Sequence, residues 1–161
     1  MVFLRTKKIN GKEYAYAVEN KWKGKGSRQR VKNYIGRAYR LKRMNEIDFS
    51  KFLNLENIDG YIESVEKNKI INDLIEWELS KHGITKQDFL VDLKNFTVKK
   101  NKKYVALILN EGFMCGYTLK KICEFKKEGD EAQDGYRLAR AFVDAGIKIP
   151  QDIFIGLFGK L

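Results

Sequence analysis

Residues 5–37 read RTKKINGKEYAYAVENKWKGKGSRQRVKNYIGR, and this stretch decides the N-terminal part of the fold. Asn10 and Gly11 predict a tight type I′ hairpin turn, because both residue types tolerate the positive φ that this turn requires. The next connection, residues 20–27, is rich in Gly and Lys and predicts a longer hairpin loop. Val, Ile, Tyr and Phe alternate with polar residues around these turns, which is typical of β-strands. The three predicted strands are residues 2–9, 13–19 and 28–35.

After residue 44 the composition becomes acidic and hydrophobic with helical periodicity, so we expect a boundary near residues 40–48. The fold class is predicted as α+β: an N-terminal three-stranded antiparallel sheet followed by a mainly helical domain with one β-hairpin. The predicted domains are a basic β module, residues 1–43, and a near-neutral domain, residues 44–161. A short basic helix is expected at residues 37–43 and the hairpin at residues 96–109. The remaining predicted helices are residues 60–81, 85–93, 117–125, 131–145 and 151–160.

The position of the positive charge along the chain matters more than its size. The chain carries 32 Lys and Arg against 21 Asp and Glu, a formal net charge of +11. Residues 1–43 hold 14 basic and two acidic side chains, whereas the other 118 residues hold 18 basic and 19 acidic ones. Charge that serves solubility is spread over a surface, while a polyanion-binding module concentrates it. The pattern favours nucleic acid, ahead of an anionic membrane surface, an acidic protein partner or a merely solvated face.

Side-chain alternation predicts that this small sheet has a basic face containing aromatic rings. The basic residues of the third strand share a face with Tyr34, Arg5 shares a face with Lys7, and Tyr14 shares one with Tyr16. Such a ribbon fits the major groove of DNA, or follows a single strand by stacking bases on its rings. In the alternative interpretation the tyrosines are core and the lysines only protect exposed strand edges. The candidate nucleic-acid-binding residues are Arg5, Lys7, Lys12, Lys21, Trp22, Lys23, Lys25, Arg28, Arg30, Lys32, Tyr34, Arg37 and Arg40.

The order of features in residues 4–37 resembles the N-terminal module of certain insertion-sequence transposases of the DDE class. It is also similar to the three-stranded, arm-type DNA-binding domains of integrases. The shared features are a basic strand, a Gly turn, a Tyr-rich strand, a charged loop, an Arg-Gln-Arg-Val segment and a Tyr-Ile-Gly end. The 118 residues after residue 43 are too few for a catalytic core with three separated acids, so transposition is not expected. The resemblance implies DNA binding, by residues that include Arg28, Arg30, Lys32 and Tyr34.

The C-terminal segment QDIFIGLF, residues 151–158, resembles a sliding-clamp interaction motif. In such an anchor helix apolar side chains enter a pocket while a glutamine hydrogen-bonds at its edge. The same residues also form the ordinary apolar stripe of a helix packed on its own core, and this is the favoured interpretation. The candidate partner-binding residues are Gln151, Phe154, Leu157 and Phe158.

Templates for catalysis are missing from the sequence. GKGS at residues 24–27 lacks the spacing of a phosphate-binding loop, and DLK at residues 92–94 lacks the strand-borne partner acid of a metal-dependent nuclease. His82 is the only histidine, and Cys115 and Cys123 have no histidine nearby to complete a zinc site. We therefore expect no enzyme, no catalytic residue, no cofactor and no metal.

No apolar run reaches 18 residues and no signal-peptide pattern opens the chain, so we expect a soluble, cytoplasmic protein without a membrane partner. It would be nucleoid-associated if it binds DNA. The first hypothesis is a DNA-binding protein. The alternatives are a replication or repair adaptor recruited to a sliding clamp, and an RNA- or ribosome-associated factor, because phosphate binding alone does not separate RNA from DNA.

Overall fold

The computed structural model describes all 161 residues, which form seven strands and six helices. The strands are β1 (Val2–Ile9), β2 (Lys12–Lys23), β3 (Gly26–Arg40), β4 (Leu90–Asp92), β5 (Thr97–Lys100), β6 (Lys103–Leu109) and β7 (Gly112–Met114). The helices are α1 (Phe49–Phe52), α2 (Ile58–Ser64), α3 (Lys67–Lys81), α4 (Gly116–Cys123), α5 (Glu131–Asp144) and α6 (Gln151–Gly159). None of the helices combines the length and the apolar character needed to cross a bilayer.

All seven strands belong to one mixed sheet. Its order is β1-β2-β3-β6-β5-β4, with β7 also paired to β6. Every pair is antiparallel except β3 and β6, which run parallel over residues 37–40 and 105–108. The prediction of a three-stranded sheet followed by a mainly helical domain with one hairpin is therefore wrong, although the α+β class holds. Strands from both sides of the boundary expected near residue 43 hydrogen-bond in this one sheet.

The N-terminal strands join the rest of the sheet next to Gly36, where β3 begins to pair with β6. The sequence pattern predicted that the third strand ends at this glycine. The strand continues to Arg40, so the short helix expected at residues 37–43 is absent. Gly36 has a φ of +149°. A Cβ at this position would lie 2.2 Å from the carbonyl oxygen of Tyr104. Glycine therefore permits both the backbone conformation and the close approach of β3 to β6.

We expect Gly36→Ala to destabilise the fold by about 2 kcal/mol, because the new methyl group meets backbone and the positive φ is strained for alanine. Gly26→Ala is the matched control, since a Cβ there meets nothing within 4 Å. Urea unfolding of the two variants measures the difference. Equal stability of both variants would show that the β3–β6 junction does not depend on this glycine.

Two helical predictions fail for local reasons. The helix expected at residues 60–81 is divided into α2 and α3, because Val65 and Glu66 have extended backbone conformations. The helix expected at residues 85–93 is instead a turn followed by β4. In this turn the Asp88 carboxylate accepts hydrogen bonds from the backbone N–H and the hydroxyl of Thr85. β4 then pairs with β5, so tertiary pairing overrides the local helical pattern.

Apolar side chains bury both sides of the central sheet. The larger core cluster joins Val105, Leu107 and Leu109 of β6 to the helices. The smaller cluster holds Ala15 and Ala38, together with the residues of β6 that point to the opposite face, Ala106 and Ile108. Towards β1 and the far end of β2 and β3 the sheet leaves this core, and most of the basic side chains lie there.

Candidate nucleic-acid interface

The β1–β2 turn sets which side chains share a face. Asn10 and Gly11 both have positive φ, of 50° and 76°, which confirms the predicted type I′ geometry. The two-residue turn pairs Arg5 with Tyr16 and Lys7 with Tyr14. Directly opposed residues of neighbouring strands point to the same face. The two cations of β1 therefore lie beside the two tyrosines of β2.

Two β-bulges in β3 bring a third tyrosine to this face. Lys32 and Ile35 have no direct partner in β2, so each one reverses the alternation of side chains. As a result Tyr34 lies opposite Tyr16, and their ring centroids are 5.3 Å apart. The expectation that Tyr34 shares a face with Arg28 and Arg30 is wrong, because the bulge at Lys32 lies between them.

We call this surface the tyrosine face and define it by Arg5, Lys7, Tyr14, Tyr16 and Tyr34. Tyr34 is 53% exposed and its ring centroid lies 6.4 Å from that of Tyr14. The pKa of Tyr34 is raised, mainly because its neighbours exclude water and to a lesser extent because Tyr16 and Tyr14 lie close by. The hydroxyl is therefore protonated at neutral pH. The ring of Tyr34 is tilted by 39° against that of Tyr14 and by 52° against that of Tyr16, so the three rings form a tilted aromatic cluster beside two cations.

A groove of about 380 Å³ runs along the tyrosine face. The side chain of Arg5 crosses it to donate a hydrogen bond to the amide oxygen of Gln29. Val31 is 58% exposed on the far wall, so apolar surface continues beyond the tyrosines. The residues lining the groove are Arg5, Thr6, Lys7, Tyr16, Val18, Gln29 and Val31.

The opposite face of β2 and β3 is basic without aromatic rings, and we call it the cationic face. It holds Glu19, whose carboxylate lies 3.4 Å from the ammonium of Lys32 and 3.6 Å from that of Lys21. Partial desolvation raises the pKa of Glu19, but the two ammonium groups lower it by more, so the pKa lies below its usual value. One carboxylate therefore faces several cations, and a positive excess remains. The basic residues of the cationic face are Lys21, Lys23, Arg28, Arg30 and Lys32.

β2 and β3 continue beyond the rest of the sheet as a two-stranded arm, residues 20–29. β1 pairs with β2 only as far as Glu19, and β6 pairs with β3 only from Arg37 onward. Trp22 lies opposite Ser27 near the tip of the arm and is 80% exposed. The exposed indole is available to stack on a ligand, and its N–H is free to donate a hydrogen bond to one.

Of the remaining candidates only Lys25 lies on the arm, whereas Lys12, Arg37 and Arg40 lie at the other end of β2 and β3, where Arg37 is directly opposite Tyr14. Lys12 follows the β1–β2 turn and Lys25 lies in the loop at the tip of the arm, both exposed. Arg37 places its guanidinium 4.8 Å from the centroid of the Tyr39 ring. Arg40 is bound to Glu13 at 2.8 Å, and this hydrogen bond lowers the pKa of Glu13. Arg40 is therefore already engaged within the protein.

Sequence reasoning omitted Tyr14, Tyr16 and Gln29 from the candidate residues. The signal for the two tyrosines was present, because a two-residue Asn-Gly turn dictates that residue 5 faces residue 16 and residue 7 faces residue 14. Gln29 carries no such signal, since its place in the groove depends on the pairing of β2 with β3.

The four C-terminal candidates lie on α6, which packs on the larger core. Leu157 is 1% exposed and Ile153 is fully buried. Phe154 and Phe158 are half-buried and stack on each other with ring centroids 6.2 Å apart, while Gln151 is exposed. A Cβ on Gly156 would lie 2.5 Å from Ile62, so α6 also packs closely on α2.

The other groups singled out in the sequence have structural roles. The Asp92 carboxylate accepts hydrogen bonds from Asn95 and the backbone N–H of Lys94, and these bonds lower its pKa. His82 is buried, with its Nδ1 2.8 Å from the carbonyl oxygen of Glu78. The structure brings no three His, Cys, Asp or Glu side chains together in a metal-binding arrangement.

Comparison of the chain with protein-family models, with curated proteins and with solved structures found no match. The resemblances of residues 4–37 and 151–158 therefore stay predictions.

Proposed function

We propose that the protein binds nucleic acid, with DNA ahead of RNA, through the β1–β3 module and without catalysis. The observation that carries the proposal is the concentration of charge: residues 1–43 have a net charge of +12 and the rest of the chain has −1. The structure gathers this charge on an exposed arm and on the two faces at its base. A phosphate backbone is the polyanion whose regular spacing suits such a surface.

Among duplex ligands the two-stranded shape of the arm favours DNA over RNA, because a β-ribbon matches the width of the B-form major groove. The deep, narrow major groove of duplex RNA does not admit such a ribbon. The resemblance of residues 4–37 to transposase and integrase modules points in the same direction. The clamp-adaptor alternative has less support, because Leu157 of its motif is buried in the core.

A titration with matched duplex DNA, single-stranded DNA and duplex RNA at two salt concentrations tests the proposal. If five to eight basic groups contact phosphates, log K should fall with log salt with a slope of about −4 to −7. Trp22 is the fluorescent reporter, since Trp77 is buried and donates its indole N–H to the carbonyl of Ile47. Binding that does not respond to salt would contradict the proposal.

A further inference from the structure

We infer that the tyrosine face binds unpaired bases, so the preferred ligand is single-stranded nucleic acid. This inference rests on the proposed function and specifies its substrate class. In a duplex the faces of the bases are hidden by stacking, and only base edges and phosphates are accessible. A nucleic acid can stack its bases on aromatic side chains only where the faces of the bases are exposed.

Three tyrosines from two strands form the platform. Tyr14 and Tyr16 lie on β2 and Tyr34 lies on β3, with centroid separations of 6.4 Å and 5.3 Å to Tyr34. Tyr34 remains 53% exposed, so part of its ring is open to a ligand. The raised pKa of Tyr34 keeps its ring neutral, which avoids repulsion from a phosphate backbone.

The charges around the platform suit a phosphodiester chain. Arg5 and Lys7 are exposed on β1 directly opposite Tyr16 and Tyr14, at the distance of one strand. Gln29 adds an amide at the groove wall, where it accepts a hydrogen bond from Arg5. The module has only two carboxylates, Glu13 and Glu19. Both are at odd-numbered positions of β2, whereas its tyrosines are at even-numbered ones, so the carboxylates lie on the opposite face.

The separation of roles between the two faces follows from the bulges. Without the bulge at Lys32, Tyr34 would point to the cationic face, and the aromatic cluster would be broken. Bulges occur at sites where a strand must redirect a side chain. The cationic face then serves as a general phosphate-binding surface, while the tyrosine face distinguishes unpaired from paired bases.

The test measures the affinity of the full chain for an oligonucleotide of about 20 nucleotides, single-stranded and as its duplex, by Trp22 fluorescence or anisotropy. We expect the single strand to bind at least about tenfold more tightly at equal salt. Tyr34→Ala should weaken single-strand binding about tenfold and change duplex binding less than about twofold. Tyr34→Phe keeps the ring and should retain the wild-type preference.

Two further variants separate stacking from structure. Tyr34→Leu keeps apolar bulk against Tyr16 but removes the ring, so it should weaken single-strand binding even if Tyr34→Ala perturbs the sheet. Tyr136→Ala removes a 69% exposed tyrosine of α5 beside Arg137 and should change nothing. Duplex binding as tight as single-strand binding, with Tyr34→Leu unchanged, would overturn the inference and leave the proposed function standing. Failure of every oligonucleotide to bind in a salt-dependent way would overturn both.

Discussion

Replacing Lys21, Lys23, Arg28 and Arg30 together by alanine should lower nucleic-acid affinity about 1000-fold. All four side chains are exposed on the cationic face, three of them on the arm and Arg30 at its base. A phosphate contact is worth roughly 1 kcal/mol, and about 1.4 kcal/mol corresponds to a factor of ten in affinity. Each lost contact should also make the slope of log K against log salt less negative by about 1, so the slope is the second measurement.

The control for this variant removes the same charge elsewhere. Alanine at Lys51, Lys94, Lys126 and Lys148 takes four exposed cations from the region whose net charge is −1. This second variant should lose less than about tenfold, through the general field alone. Equal losses for both variants would mean that total charge, and not the arm, determines binding.

Substitution tests the arm more cleanly than truncation does. A chain starting at Met44 lacks β3, and β3 is the parallel neighbour of β6 in the central sheet. Removal of β3 would expose the apolar residues that pack against Ala38, and it would leave the backbone groups of β6 on that side unpaired. Loss of binding by such a fragment would therefore mix unfolding with loss of contacts. Side-chain substitutions on the exposed arm leave the ladder hydrogen bonds in place.

The local parts of the candidate interface were accessible from the sequence. Asn10 and Gly11 specify a turn whose geometry sets the pairing of β1 with β2, and the alternation of Tyr14 and Tyr16 then sets their face. The concentration of charge in residues 1–43 needed only counting. These features depend on neighbours within a few residues, where turn and strand preferences are strong.

The non-local parts were not accessible. The bulges at Lys32 and Ile35 have no distinctive residue type, and each one changes the face of the residues beyond it. The pairing of β3 with β6 joins residues almost 70 positions apart, and Gly36 reads as a strand end in isolation. A glycine in a strand marks either a stop or a close backbone approach, and only the partner strand distinguishes the two.

Leu157→Ala should destabilise the protein by about 2 to 5 kcal/mol, because it removes a fully buried leucine and leaves a cavity. Phe154 is half-buried, so Phe154→Ala should cost less than Leu157→Ala. Such a loss is a large share of the stability of a small domain. Urea unfolding followed through the buried Trp77 measures it. The matched control is Ile155→Ala, since Ile155 lies on the same helix and is 62% exposed.

The same helix decides the sliding-clamp hypothesis. If α6 is core, a peptide of residues 148–161 should not bind a sliding clamp, because Leu157 and Ile153 gain their burial from this protein and Gly156 and Gly159 weaken the isolated helix. If the segment is a clamp ligand, the peptide should bind with about micromolar affinity and Leu157→Ala should leave the free energy of unfolding nearly unchanged. The burial of Ile153 and Leu157 and the close packing of Gly156 on Ile62 favour the first result. A peptide that binds, together with a stable Leu157→Ala protein, would reverse the assignment of α6.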